Sequence, residues 1–422
     1  MGSVLNNRIT AFYVSGKRRF RTALLPLVLL SLVLTGSLPA PPAGAGPDSS
    51  ELNGVERLIG KNDAVLVIDS LGRSLVSRHA DRMLIPASTL KILTSLVAIH
   101  HLGLGYRFPT EFYTDSNRNL KIKGYGDPLL VSEEVADISR ELATRLERIE
   151  HIVLDDSHFA QPLVIPGISS SSEPYDAPNG ALCVNFNTVN FTTENGAYTS
   201  AEPQTPLLPF ALPRVKQSGL ETGRIVFSHK GNQCTLYAGH LFAYFLDQQG
   251  RAPAGEIRLG KVDEKADRLV YRHHSRFTLE EIITGLLEHS NNFTTNQILI
   301  AAGIDAFGPP GTLAKGVQTA TAYAEGVLQL EKFYLAEGSG ISRDNRITAR
   351  GMDRILESFE PYRYLMHREG RSHFKTGTLY GISTRAGYIN SEDGSYYRFA
   401  VMINTRGRST DRVMRELLKA LP

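Results

Sequence analysis

The sequence contains no tryptophan and only two cysteines in 422 residues. The first absence excludes any site built on an indole ring. The second excludes a cysteine-rich zinc or iron–sulfur centre, which needs about four thiolates. Twelve histidines are present, but the pairs His100-His101 and His273-His274 stand in no H-x-x-x-H or H-E-x-x-H setting, so no zinc site is indicated. Gly124-Tyr125-Gly126 is not a phosphate loop, because no Gly-Lys-Ser/Thr follows it. The chemistry is therefore expected to need no metal and no cofactor.

A basic excess is also missing. The formal charge of +3 arises in residues 1–45, which carry Arg8, Lys17, Arg18, Arg19 and Arg21 and no acid. Without them, 41 basic residues face 43 acidic ones, a net of −2. A nucleic-acid footprint would need a basic face, and no such run is present, so nucleic acid is not expected as a partner. Long apolar runs are confined to residues 23–34, which follow the basic stretch 17–21 and precede Ala43-Gly44-Ala45. This is the layout of an export signal with an A-x-A cleavage site, here residues 1–45. The run is short for a span and contains Pro26, so a mature chain without a stable membrane span is expected in the periplasm or cell envelope. Cys183 and Cys234 both lie in the exported part, where a disulfide is permitted. Two buried thiols are the alternative, and spacing alone leaves both open.

What is present is an ordinary globular composition, 42% hydrophobic and 21% charged, long enough for about two to three domains. Residues 46–60 read as a polar linker. Residues 64–68 and 74–77 read as a β-hairpin across a turn at 69–73. Pro86-Ala87 then introduces an apolar helix over 88–102, ended by Gly103 and Gly105. The texture changes over 104–262, where short β-like runs surround a helix at 133–148, and this stretch reads as a separate α+β module. Thr278 and Glu281 form a capping box, and helices are expected at 296–302, 317–334 and 348–359. Strands at 384–389 and 397–403 and a closing helix at 411–421 complete the chain.

Three short motifs carry chemistry. In Ser88-Thr89-Leu90-Lys91 the serine and lysine are three residues apart, one helical turn, so they meet on one face. A serine is a poor nucleophile until a base takes its proton, and a desolvated lysine can be that base. Ser290-Asn291-Asn292 follows an apolar helix and supplies a second hydroxyl. Lys375-Thr376-Gly377-Thr378 supplies a cation at a strand, with a glycine that lets a backbone approach closely. Each motif alone is more often a cap, a polar loop or a turn. A second S-x-x-K, Ser372-His373-Phe374-Lys375, shows how cheaply the first arises. The order S-x-x-K, S-x-N, K-T-G is the signature of penicillin-interacting serine enzymes.

With these motifs, and with Tyr125-Gly126-Asp127-Pro128, Leu154-Asp155-Asp156-Ser157, Asn185-Phe186-Asn187 and Gly338-Ser339-Gly340-Ile341-Ser342-Arg343 in the same order, the chain resembles the penicillin-binding protein 4 type of D-alanyl-D-alanine carboxypeptidase and endopeptidase over most of residues 60–420. The resemblance implies an α+β fold of the penicillin-binding and β-lactamase type, an antiparallel sheet flanked by helices. That unit would comprise 61–103 and 263–422, with 104–262 as a large mixed insertion after the nucleophile helix. It also implies roles. Ser88 would be acylated, Lys91 would take its proton, and Ser290 would relay that proton to the leaving D-alanine. Asn292 would hold Lys91 and the substrate amide. Lys375, Thr376 and Thr378, with Gly377 between them, would bind the terminal carboxylate. Backbone N–H groups of Ser88 and Thr378 would form the oxyanion hole. Asp155 and Arg343 match positions that recognise the charged end of a diamino acid side chain. The implied partners are peptidoglycan stem peptides and, as covalent inhibitors, β-lactams. Tyr380 departs from the polar amide common beside the clamp. Two other readings compete. A serine β-lactamase would need a water-holding glutamate, and 293–374 holds no E-x-x-x-N element. A non-catalytic peptidoglycan-binding module would not need an intact Ser88, Lys91, Ser290 and Lys375.

Overall fold

The computed structural model describes residues 49–169, 174–228 and 230–422. The expected export signal, 1–45, lies outside the described residues, as does the start of the expected linker. The rest of that linker is corrected. Ser49–Arg57 form helix α1. Leu52, Val55 and Ile59 recur at helical spacing and are buried against Val413 and Leu417 at the far end of the chain. A polar composition hid this stripe because its partner is remote in sequence.

The hairpin is β1 (Asp63–Ile68) and β2 (Ser74–Arg78). Its turn is held by the Asp69 carboxylate, which accepts from the N–H groups of Leu71 at 2.9 Å and Arg73 at 2.8 Å. All six residues of β1 are buried, because both faces of its sheet are covered. Ala64 and Leu66 join one core and Val65 and Val67 the other. A 3₁₀ turn, Ala87–Leu90, then leads into α2 (Lys91–Leu102).

The insertion follows as β3 (Pro109–Thr114), β4 (Leu120–Gly124), α3 (Ser132–Arg145), β5 (Ile152–Asp155), β6 (Thr188–Glu194), β7 (Ala197–Ser200), α4 (Leu212–Ser218), β8 (Gly223–Val226), α5 (Gln233–Gln248), β9 (Ile257–Leu259) and β10 (Arg268–His274). It holds a five-stranded sheet in the order β10-β3-β4-β5-β9 and a three-stranded sheet in the order β7-β6-β8. Phe112, Ile122 and Leu154 of the larger sheet pack with Val135 and Leu142 of α3 and Leu241 and Phe242 of α5. The expected limit at 262 moves to the end of β10. That strand pairs antiparallel with β3 from Arg268↔Thr114 to His274↔Pro109, so it belongs to the insertion sheet. Cys183 and Cys234 are free, buried thiols.

The chain then forms α6 (Leu279–His289), α7 (Asn292–Phe307), α8 (Leu313–Gly326), the short pair β11 (Phe333–Tyr334) and β12 (Arg346–Ile347), α9 (Ala349–Phe359), β13 (His367–Glu369), β14 (Ser372–Leu379), β15 (Ile382–Asn390), β16 (Tyr396–Ile403) and α10 (Asp411–Ala420). The expected helix at 296–302 is longer and starts at Asn292, since the Asn291 side chain caps it by accepting from Thr294 N at 2.9 Å. The helix expected at 317–334 lies earlier, started by the Thr312 side chain, which accepts from Lys315 N at 3.1 Å. The principal sheet is six-stranded and antiparallel, β13-β14-β15-β16-β1-β2. β1 pairs with β16, Asp63 opposite Ile403, so the two ends of the chain close one sheet. α1 and α10 share the core on one face, and α2, α6, α7, α8 and α9 share the core on the other.

Candidate active site

The site forms where the 3₁₀ turn meets β14. Ala87 stands at φ +47°, and Ser88 follows it, partly exposed. In a 3₁₀ turn residues i and i+3 eclipse, which stacks Lys91 directly on Ser88. The Lys91 Nζ lies 3.1 Å from Ser88 Oγ, 2.7 Å from Asn292 Oδ1 and 2.7 Å from the carbonyl oxygen of Ser339. Lys91 is fully buried. Burial, and then the positive charge of Lys375, hold its ammonium well below the ordinary lysine range, while Glu337 opposes them.

Ser290 and Asn292 arrive at the junction of two helices. The capping box starts α6: Thr278 N donates to Glu281 Oε2 at 2.8 Å, and Glu281 N donates to Thr278 Oγ1 at 3.3 Å. α6 ends on Ser290 in the left-handed conformation, φ 58° and ψ 37°. A non-glycine residue there costs roughly 1–2 kcal/mol, so the hydroxyl is held at a strained position. α7 begins two residues on and puts Asn292 on Lys91.

β14 supplies the second lysine. Lys375 is 3% exposed, and burial pulls it down to about 8 against the opposing charge of Glu288. Thr376 and Thr378 are exposed and alternate with the buried Lys375 and Gly377. A Cβ on Gly377 would sit 2.7 Å from Ser88 N and 2.9 Å from Pro86 O, so only glycine lets this strand lie against the Ser88 turn. Thr384 Oγ1 on β15 donates to Pro86 O at 2.6 Å and ties the turn to the sheet. A cavity of about 440 Å³ runs past Thr376 and Thr378 toward Arg385, Arg408 and Ser409. Ser372, the decoy, sits on β14 three residues before Lys375, and the strand period of two puts the pair on opposite faces.

Ser88, Lys91, Asn292, Lys375 and Gly377 are thus joined by hydrogen bonds, charge or close packing. Asp155 is not part of that network. It ends β5, buried, and its carboxylate accepts from Ser157 N at 3.0 Å, Ser157 Oγ at 2.6 Å and Val262 N at 2.8 Å, all within the insertion. Arg343 is exposed and donates to Tyr380 O, next to the end of β14. Tyr380 itself is 70% exposed under the Arg406 guanidinium.

Sequence reasoning singled out Gly338–Arg343 as a family segment but not its support of Lys91. Ser339 contributes its carbonyl, and Gly340, at φ +83°, passes so close that a Cβ would lie 1.9 Å from Ala87 O. The Gly-Ser-Gly spacing was the available signal, but a main-chain acceptor leaves no side-chain signature. Gln297, on the second turn of α7, was also missed. Its Nε2 donates to Gly126 O at 3.1 Å and Gly180 O at 3.0 Å. Its Oε1 accepts from Asn179 Nδ2 at 3.0 Å and Gly180 N at 3.2 Å, which docks the insertion on the helix that carries Asn292.

The fold is similar to that of penicillin-binding protein 4 from Haemophilus influenzae, with a TM-score of 0.69, 18% identity, and coverage of 85% of this chain and 94% of that one. It is also similar to a predatory endopeptidase from Bdellovibrio bacteriovorus, solved in complex with an immunity protein, with a TM-score of 0.50, 17% identity, and coverage of 85% and 90%. In sequence, the D-alanyl-D-alanine carboxypeptidase of Actinomadura sp. strain R39 is 26% identical over 90% of this chain and 86% of its own length. The structural likenesses show the penicillin-binding-type fold. Residues 49–222 and 217–364 match the D-Ala-D-Ala carboxypeptidase 3 (S13) family. The chain belongs to that family and is a serine-type D-Ala-D-Ala carboxypeptidase.

Proposed function

We propose that Ser88 forms the acyl-enzyme with peptidoglycan stem peptides. The neutral amine of Lys91 takes the Ser88 Oγ proton as the oxygen attacks the carbonyl of the penultimate D-alanine. The N–H groups of Ser88 and Thr378 receive the oxyanion, a contribution worth about 3–4 kcal/mol per donor in such sites. Ser290 carries the proton from Lys91 to the departing D-alanine nitrogen, and water then cleaves the ester. Lys375, Thr376 and Thr378 hold the terminal carboxylate, and Gly377 keeps the strand close. Asn292 orients Lys91 and the substrate amide. Arg343, beside the end of β14, faces the diamino acid side chain. Asp155 shapes the same region indirectly, by folding the loop that follows it. Cleavage of a crosslink between two peptides is the same acyl transfer with a larger leaving group.

The observation that carries this reading is the Lys91 amine, fully buried and hydrogen-bonded at once to Ser88, Asn292 and Ser339. A surface lysine at i+3 would have none of these contacts. β-Lactams should acylate the same serine, and the basic stretch, apolar run and Ala43-Gly44-Ala45 of residues 1–45 support action outside the cytoplasm. Intact-mass analysis after penicillin should give one adduct on the wild type and none on Ser88→Ala. Release of D-alanine from a pentapeptide should vanish in the same variant. Rapid turnover of the penicillin adduct would instead favour a β-lactamase.

A further inference from the structure

We infer that Glu337 is the positioning residue of the general base: its buried carboxylate folds the 338–342 loop around itself and so delivers the Ser339 carbonyl to Lys91 Nζ. The inference rests on the reading of Lys91 as base and Ser88 as nucleophile.

Glu337 is 1% exposed and accepts six hydrogen bonds. Oε2 takes Ser339 N at 2.6 Å, Ser339 Oγ at 2.6 Å and Asn296 Nδ2 at 3.1 Å. Oε1 takes Gly340 N at 2.7 Å, Asn345 Nδ2 at 2.7 Å and Ser342 N at 3.3 Å. Every donor is neutral, and among the described residues no cation forms an ion pair with this carboxylate. Burying an unpaired charge is expensive even when it is hydrogen-bonded, and a turn alone does not require one. The neighbouring charges give the expense a reason. Lys91 and Lys375 are both buried and repel one another, and Glu337 is the group whose field favours the proton on Lys91.

The loop that Glu337 organises touches α2, α7 and the turn that carries Ser88. Thr94 Oγ1, one turn after Lys91 on α2, donates to Gly338 O at 2.7 Å. Asn296, one turn after Asn292 on α7, accepts from Gly338 N through Oδ1 at 2.9 Å and donates to Glu337 through Nδ2. Gly340 then passes directly beneath Ala87 O, next to the nucleophile. The carboxylate is therefore the hub that fixes the distance from the Ser339 carbonyl to Lys91, and its field favours the proton on that lysine. Loss of the charge and loss of the geometry have different signatures.

The test is the pH dependence of Ser88 acylation by a fluorescent penicillin, with melting temperature measured in parallel, for Glu337→Gln and Glu337→Asp. In Glu337→Gln the charge that favours the Lys91 ammonium is gone. The acid limb of the profile should move to lower pH, and the plateau rate should fall about 10- to 100-fold as Ser339 shifts. In Glu337→Asp the charge stays but the carboxylate retracts, so the rate should fall with the acid limb in place. A folded Glu337→Gln variant with an unmoved acid limb overturns the inference. If that variant does not fold, Glu337→Asp decides, and a wild-type rate there overturns it. The underlying reading fails separately: it falls if Lys91→Ala is acylated as fast as wild type, whatever Glu337 does.

Discussion

At the scale of single residues the site is set by two lysines in different environments. In the proposed mechanism Lys91 must be neutral to accept a proton, and burial lowers it well below its usual range. In the same mechanism Lys375 must be charged to hold a carboxylate, and burial brings it to about 8. For the free enzyme, kcat/KM should therefore decline as pH rises through about 8. A bound anion stabilises the ammonium, so the limb in kcat should lie at higher pH. A kcat/KM profile level well above pH 8 would remove Lys375 from this role. The same lysine links stability to pH. Its folded value lies below the ordinary 10.5, so the unfolded chain holds more protons between about 8 and 10.5, and stability should rise with pH across that window. Gly340 offers a steric test. Alanine there adds left-handed strain to a Cβ 1.9 Å from Ala87 O, and should cost about 2–4 kcal/mol in urea unfolding and abolish acylation. Gly72, at φ +81° with nothing within 4 Å, is the control, since alanine there meets the strain without the clash.

At the scale of elements, the capping box at Thr278 and the β1–β2 hairpin were legible because each is closed by contacts a few residues apart. Helix α1 was not, because three apolar residues in a polar stretch gain meaning only against α10. Lys375 was placed on a strand correctly, but its burial is a property of the packed fold that strand alternation alone does not give. The Gln297 amide is the element-scale joint between α7 and the insertion. Gln297→Ala leaves several buried backbone groups without partners, each worth about 1–3 kcal/mol. Hydrogen exchange should then quicken at 124–128 and 179–183 before the main sheet opens. Uniform exchange across the molecule would show that the joint carries no local stability.

At the scale of the molecule, the first and last described elements stabilise each other. β1 pairs with β16, and α1 lies on α10, so the N-terminal segment completes both the sheet and its outer core. Val55 is fully buried in that core, and Val55→Asp should cost about 3–5 kcal/mol through an unpaired buried carboxylate, read as a fall in melting temperature. An unchanged melting temperature would mean that α1 is dispensable.

The sequence by itself determined the reagents: a serine and lysine one turn apart, a second serine before an asparagine, and a lysine before a threonine and glycine. Those relations are local, and backbone periodicity converts them into shared faces without help from the rest of the fold. Only the tertiary structure decided the state of the reagents. Burial of Lys91, its bond to the Ser339 carbonyl and the six donors around Glu337 come from segments hundreds of residues from Ser88. Proton affinity depends on which charges and donors surround a group in space, and that arrangement exists only once the helices and the sheet have packed.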